Sequence, residues 1–127
     1  MGRTVKCPKC DANMAKLDYE GIYVNRCPDC KGLWFDAFEL QELKKLKGSE
    51  TIDLGANDKS KENDENRGID CPVCHTQMIK MVDIEHHMKY EACTVCYGVY
   101  FDAGEFKEYK HETLMMSLKK MLLGKGI

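Results

Sequence analysis

The chain has 127 residues, eight cysteines and a formal net charge of −2. That length allows one medium domain or two very small ones, and no run of about 20 apolar residues is present to span a membrane as a helix. A slightly acidic chain also lacks the global positive field that drives phosphate binding, which leaves only a local basic patch as a route to nucleic acid.

The phrase CPDCKGLWFDAFEL, from Cys27, returns sixty-six residues later as CTVCYGVYFDAGEF, from Cys93, and each copy follows another CxxC pair. A repeat of this period favours two units, at 1–48 and 69–127, separated by 49–68. A unit of roughly 45 ordered residues loses on the order of 65 kcal/mol of conformational entropy, about what its apolar burial returns, so domains this small add disulfides or a metal. The sequence opens with no basic stretch leading into an apolar one, so a cytoplasmic location is expected. Under the reducing conditions there, cysteines that come as four CxxC pairs read as metal thiolates rather than disulfides.

In chain order, the first element is the Cys7–Cys10 knuckle, with Pro8 pre-setting its turn. Residues 14–25, MAKLDYEGIYVN, then alternate in the manner of a β-hairpin with Glu20 and Gly21 near the turn. The Cys27–Cys30 knuckle follows, with Pro28 at its second position and Gly32 suited to a left-handed backbone as the chain leaves. Of the alternating neighbours Trp34 and Phe35, Trp34 is expected in the core. A helix should start after Asp36, with Glu39 reaching back as in a capping box, and end at Gly48 behind Lys44, Lys45 and Lys47. The stretch 49–68 has no proline or aromatic and an acidic excess, the composition of a flexible linker; the competing reading is a partner-binding strip centred on Ile52 and Leu54.

The second unit repeats the order: the Cys71–Cys74 knuckle with Pro72, a hairpin over 77–92, and the Cys93–Cys96 knuckle with Thr94 in the proline place. Its inner spacer has 18 residues against 16 in the first unit, and one extra residue per hairpin arm leaves the faces unchanged. Gly98, Tyr100, Phe101, Asp102 and Glu105 echo their counterparts. The second helix is expected to be extended: 103–123 contains 21 residues, about 31 Å of helix. Its face of Phe106, Tyr109, Leu114, Leu118, Met121 and Leu122 exceeds what a small unit needs, so it packs on its own unit, forms a homo-oligomer or meets another protein. His86 and His87 fall near the second hairpin's turn and, with the isolated His75 and His111, read as exposed residues.

Two metal sites result: Cys7, Cys10, Cys27 and Cys30 in one, and Cys71, Cys74, Cys93 and Cys96 in the other. Four thiolates suit tetrahedral zinc, and two zinc ions are expected. Such a site has no open position to activate water, and helix capping accounts for Asp36 with Glu39 and Asp102 with Glu105, so no catalytic residue and no enzyme activity are expected. A thioredoxin-type redox role would require a βαβ surround that the pattern lacks. Iron is the closer rival, because rubredoxin-type proteins also use two CPxC knuckles. Those typically carry glycine directly after the second cysteine, where this chain has Asp11, Lys31, His75 and Tyr97. Zinc therefore leads. Each ion with four thiolates contributes a net −2, taking the loaded chain to about −6; Lys6, Lys9, Arg26 and Lys31 crowd the first site and offset part of that charge.

With CPxC, a hairpin-length spacer and then CPxCxGxWxDxxEL, each half resembles the TFIIB-like zinc-ribbon family, often labelled transcription factor zinc-finger. The resemblance covers about Lys6 to Leu43 and Asp70 to Tyr109, and departs where Tyr100 replaces the tryptophan matched by Trp34, where Phe35 and Phe101 replace a commoner leucine, and at Thr94. It implies a small α+β, metal-dependent fold: two zinc ribbons, each a β-hairpin between CxxC knuckles followed by an α-helix. The leading reading is a non-enzymatic zinc-binding module mediating protein interaction, with a link to transcription. The alternatives left open are a nucleic-acid-binding ribbon, which charge does not favour, and a rubredoxin-like iron electron-transfer protein.

Overall fold

The computed structural model describes residues 5–61, 68–83 and 88–111 of the chain. Alternation builds the first hairpin: β1 (Ala15–Tyr19) pairs antiparallel with β2 (Ile22–Arg26), from Ala15↔Arg26 to Tyr19↔Ile22. Glu20 (φ 52°) and Gly21 (φ 89°) both take the left-handed conformation that a two-residue hairpin turn of the mirror-image type requires. The Asp18 carboxylate accepts the Gly21 N–H at 2.8 Å. After the second knuckle, β3 (Leu33–Phe35) returns along β2.

The second half builds the same three strands, β4 (Ile79–Asp83), β5 (Met88–Ala92) and β6 (Val99–Phe101). Its five described hairpin pairs run from Ile79↔Ala92 to Asp83↔Met88, which matches the first hairpin pair for pair. The expected extra residue in each arm falls on 84–87, outside the described residues.

The halves then join. β3 pairs antiparallel with β6 in the register Leu33↔Phe101, Trp34↔Tyr100, Phe35↔Val99, giving one six-stranded sheet in the order β1-β2-β3-β6-β5-β4. Because Trp34 and Tyr100 hold equivalent places in the repeat and pair with each other, the halves are related by an approximate two-fold axis through this seam. Side chains at the seam alternate between two faces. Trp34 and Tyr100 point to the face that carries both cysteine groups, packed with Val5, Met14, Ile69 and Met78. Leu33, Phe35 and Phe101 point to the opposite face, where Leu40, Leu43, Phe106 and Tyr109 cover them. On that face the Phe35 and Phe101 rings meet edge-on at 5.7 Å, and Phe106 lies 5.1 Å from Phe35. Both aromatics of each pair are therefore fully buried, Phe35 and Phe101 as well as the Trp34 and Tyr100 expected in the core.

The helix that follows each ribbon lies on that second face. In α1 (Glu39–Lys45), Leu40 and Leu43 supply the buried stripe, and Lys44 and Lys45 sit in the last turn where the dipole favours them. The Glu39 carboxylate reaches back to the Asp36 N–H at 2.9 Å, as a capping box requires. The Asp36 side chain does not complete the box, because it accepts the Trp34 indole N–H at 3.0 Å; Phe38, at φ 72°, holds the cap position. The helix stops at Lys45, three residues before Gly48, and Gly48 (φ 83°) instead begins a short 3-10 turn at Ser49–Ile52. A last helix, α3, is described over residues 105–111; the expected extension and the apolar residues from Leu114 onward lie outside the described residues.

The segment 49–68, expected as a linker, is described over 49–61, and there it packs on both halves. Ile52 is buried against the helix-side core, and Arg26 of β2 donates to the Ile52 carbonyl at 2.9 Å. Asp53, 1% exposed, accepts the N–H groups of Gly104 (2.8 Å) and Lys107 (2.9 Å) at the start of α3, and that of Gly55 at 3.0 Å. The cap of the second helix thus comes from fifty residues upstream, in place of the expected Asp102. Further on, Asn57 donates to the Asp29 carbonyl at 2.9 Å, and a single turn of helix, α2 (Asp58–Lys61), follows. Asp53→Ala is expected to cost about 2 kcal/mol, the upper end for a lost cap, because three part-buried N–H groups lose their acceptor. Urea denaturation gives the loss, and faster hydrogen exchange at Gly104 and Lys107 places it.

Candidate metal centres

Each knuckle is built by a local turn. The N–H of the residue after the second cysteine returns to the carbonyl of the first: Asp11 to Cys7, Lys31 to Cys27, His75 to Cys71, and Tyr97 to Cys93, at 2.8 to 3.1 Å. Those four residues all have φ between 62° and 66°. None is glycine, so a conformation costing on the order of 1–2 kcal/mol for an ordinary residue is accepted at every knuckle. The turns also aim backbone N–H groups at sulfur. Cys74 donates to Cys71 Sγ at 3.3 Å, Val95 to Cys93 Sγ at 3.3 Å, and Cys30 to Cys27 Sγ at 3.4 Å.

The hairpins then bring paired knuckles together. The Sγ atoms of Cys7, Cys10, Cys27 and Cys30 lie within 4.8 Å of one another, as do those of Cys71, Cys74, Cys93 and Cys96. Four sulfurs around zinc at about 2.3 Å are about 3.8 Å apart. The Cys7–Cys30 and Cys71–Cys96 separations are both 3.7 Å, and Cys10–Cys27 is shorter at 3.1 Å. The donor set therefore fits a four-thiolate metal, and both groups can hold one.

Protonation is uneven across the thiols. The hydrogen bond with Cys7 brings Cys30 down to about 4 against the effect of burial, and the same bond, with burial, pushes Cys7 far up. Burial and the neighbouring Cys27 and Cys30 thiols push Cys10 up to about 12. At Cys93, burial works upward, yet the N–H groups of Cys96 and Val95 bring the thiol down to about 6. Each group thus already holds a thiol inclined to ionise, and metal binding displaces the protons that remain.

Three features of the centres went unread in the sequence. Gly32 and Gly98 do not adopt a positive φ; they are glycines because an aromatic ring from the opposite ribbon occupies the place of a Cβ, Tyr100 over Gly32 and Trp34 over Gly98. The Tyr100 hydroxyl lies 3.7 Å from Cys7 Sγ and 3.6 Å from Cys30 Sγ, and its proton is strongly retained because burial and those sulfurs oppose its ionisation. The Lys9 side chain, 0% exposed within the first knuckle, pairs with Asp102 across the seam at 3.0 Å. The sequence held a hint of the exchange, since a glycine stands two residues before the aromatic in both halves. Of the histidines, His75 and His111 are exposed, while His86 and His87 lie outside the described residues.

Comparison with curated proteins and with solved structures gives no match. The family described as transcription factor zinc-finger matches twice, over residues 6–46 and 70–112, each match enclosing one four-cysteine group. With the knuckles, hairpins and following helices in the same order in both matched segments, which together span more than half of its length, the chain belongs to this zinc-ribbon family in two tandem copies.

Proposed function

We propose that the chain is a non-enzymatic module of the cytoplasm that holds two structural zinc ions and presents the joined ribbons to a protein partner, in a process linked to transcription. The observation that carries this is the completeness of each thiol group: four protein sulfurs surround one point, so a bound ion has no position left for substrate or water. The ions supply cross-links at the centre of the core, and the chain's own residues do the rest.

A protein partner is favoured by what surrounds the centres. Of the four basic residues crowding the first site, Lys6 is exposed and three are engaged internally: Lys9 is buried against Asp102, Arg26 donates to the Ile52 carbonyl, and Lys31 donates to the Pro28 carbonyl. They offer no stripe for a phosphate backbone, and the loaded chain is net negative. The surface instead exposes large apolar side chains, among them Phe38 at 76%, Tyr97 at 68% and Val82 at 61%. Phe38 and Tyr97 also line one groove of about 500 Å³ with Leu40 and Val99, across the seam.

Metal analysis and binding assays test this together. Purified protein is expected to be colourless, to carry two zinc ions per chain, and to pass through immobilised single- and double-stranded nucleic acid at low salt. Visible absorption from thiolate-bound iron would replace the reading with electron transfer, and retention that falls steeply with salt would replace the partner class with nucleic acid.

A further inference from the structure

We infer that Tyr100, which belongs to the second ribbon, is a working part of the first ribbon's metal centre: its one hydroxyl proton is shared between the Cys7 and Cys30 thiolates and so couples the loading of the two centres. This rests on the reading that the thiol groups hold metal. Once Cys7 and Cys30 are bound as thiolates they have no proton to give, so across the 3.7 and 3.6 Å contacts only the hydroxyl can be the donor. The ring is 0% exposed and sits where a Cβ of Gly32 would be, so the hydroxyl has little freedom to turn elsewhere. Its position is fixed from the far side of the seam by the Trp34↔Tyr100 pair, and the Lys9–Asp102 ion pair ties the same knuckle to the same strand.

The two-fold related arrangement is not equivalent. Trp34 lies over Gly98 at the second centre, but its one donor is spent on Asp36 of its own ribbon at 3.0 Å. A hydroxyl does approach that centre's sulfurs, Thr76 at 3.7 Å from Cys93, but it belongs to the second ribbon itself. The first centre therefore depends on the second ribbon through a donor that has no counterpart in the other direction among the described residues. Binding free energies are reciprocal, so loading either centre favours the other, and Tyr100 carries that coupling.

Protein loaded with ¹¹³Cd²⁺ is the probe, each centre being identified by correlation from its cysteine protons. In the unmodified protein a slowly exchanging Tyr100 hydroxyl proton should correlate with the cadmium of the Cys7 to Cys30 centre. Tyr100→Phe should shift that cadmium resonance and speed release to a chelator from the first centre by roughly tenfold or more, as loss of an outer hydrogen bond to a ligand typically does. Because the coupling is reciprocal, Tyr100→Phe should also weaken the second centre while the first is loaded, but leave it within about twofold once the first centre has been removed with Cys7→Ser and Cys10→Ser. Removing the second centre with Cys93→Ser and Cys96→Ser should accelerate release from the first, and adding Tyr100→Phe should then change little more. Unchanged release at the first centre, or the same effect of Tyr100→Phe on the second centre whether or not the first is present, would overturn the inference while leaving two metal sites in place; failure to bind cadmium at either centre would overturn it together with the proposed function. If Tyr100→Phe does not fold, the hydroxyl correlation in the unmodified protein decides, its presence supporting the inference and its absence overturning it.

Discussion

Removal of metal by a strong chelator under reducing conditions is expected to collapse the amide dispersion of both halves together. Structural zinc contributes apparent binding energies of about 10–16 kcal/mol in small fingers, whereas whole domains are stable by only about 5–15 kcal/mol. Here the sulfurs are part of the packing: Cys7, Cys27, Cys30, Cys71 and Cys93 share one buried cluster with Trp34 and Tyr100. Without the ion, thiols gathered at close range must find other partners or water, and the core described on that face is left to Trp34, Tyr100, Val5, Met14, Ile69 and Met78. Because the ring of each seam aromatic rests on the opposite ribbon's knuckle, damage should also cross the seam. Cys93→Ser alone is expected to shift resonances of Trp34 and Gly32, which a heteronuclear correlation spectrum reads directly. Retention of full dispersion in the metal-free, reduced chain would refute the dependence on metal.

Gly98→Ala and Gly32→Ala should be the most damaging single-methyl additions in the protein, each costing about 3 kcal/mol. At Gly98 the new Cβ would fall inside the Trp34 ring, and at Gly32 on the Tyr100 hydroxyl; Trp34 and Tyr100 are both 0% exposed, so neither ring has space to move into. The same glycines accept the knuckle hydrogen bonds from Cys93 and Cys27 at 2.9 Å, so the backbone cannot retreat without opening the thiol group. Gly21→Ala is the control. Its φ of 89° makes alanine strained, but nothing lies within 4 Å of the added carbon, so its cost should be limited to about 1 kcal/mol of backbone strain. Denaturation of metal-loaded protein at fixed free zinc gives the three values, and Trp34→Phe should recover part of the Gly98→Ala loss if the clash is its cause.

Features written in short spacings were legible in the sequence. CxxC turns, the Glu20-Gly21 reversal and the Leu40, Leu43 stripe are each settled within a few residues, and the fold class and family followed from them. The seam was not, because LWF and VYF are three-residue strands with apolar residues at every position. Such a run says that both faces are buried and leaves open which strand it pairs with. The acidic stretch after Gly48 misled for a related reason. Its polarity is real, yet Asp53 turns that polarity inward to satisfy the start of α3, an arrangement visible only once residue 104 is beside it. Position alone makes Asp36 and Asp102 look like caps, while Trp34 and Lys9 claim their carboxylates.

Two tandem ribbons form one body through the pairing of β3 with β6. Amide hydrogen exchange on the zinc-loaded protein tests it most directly, by comparing residues 33–35 and 99–101 with the hairpin amides of β2 and β5. Seam amides that exchange as slowly as the hairpins, and that accelerate together with them when zinc is withdrawn, are the predicted result. Protected hairpins beside a freely exchanging seam would contradict it, since that is the pattern of two separate ribbons on a tether.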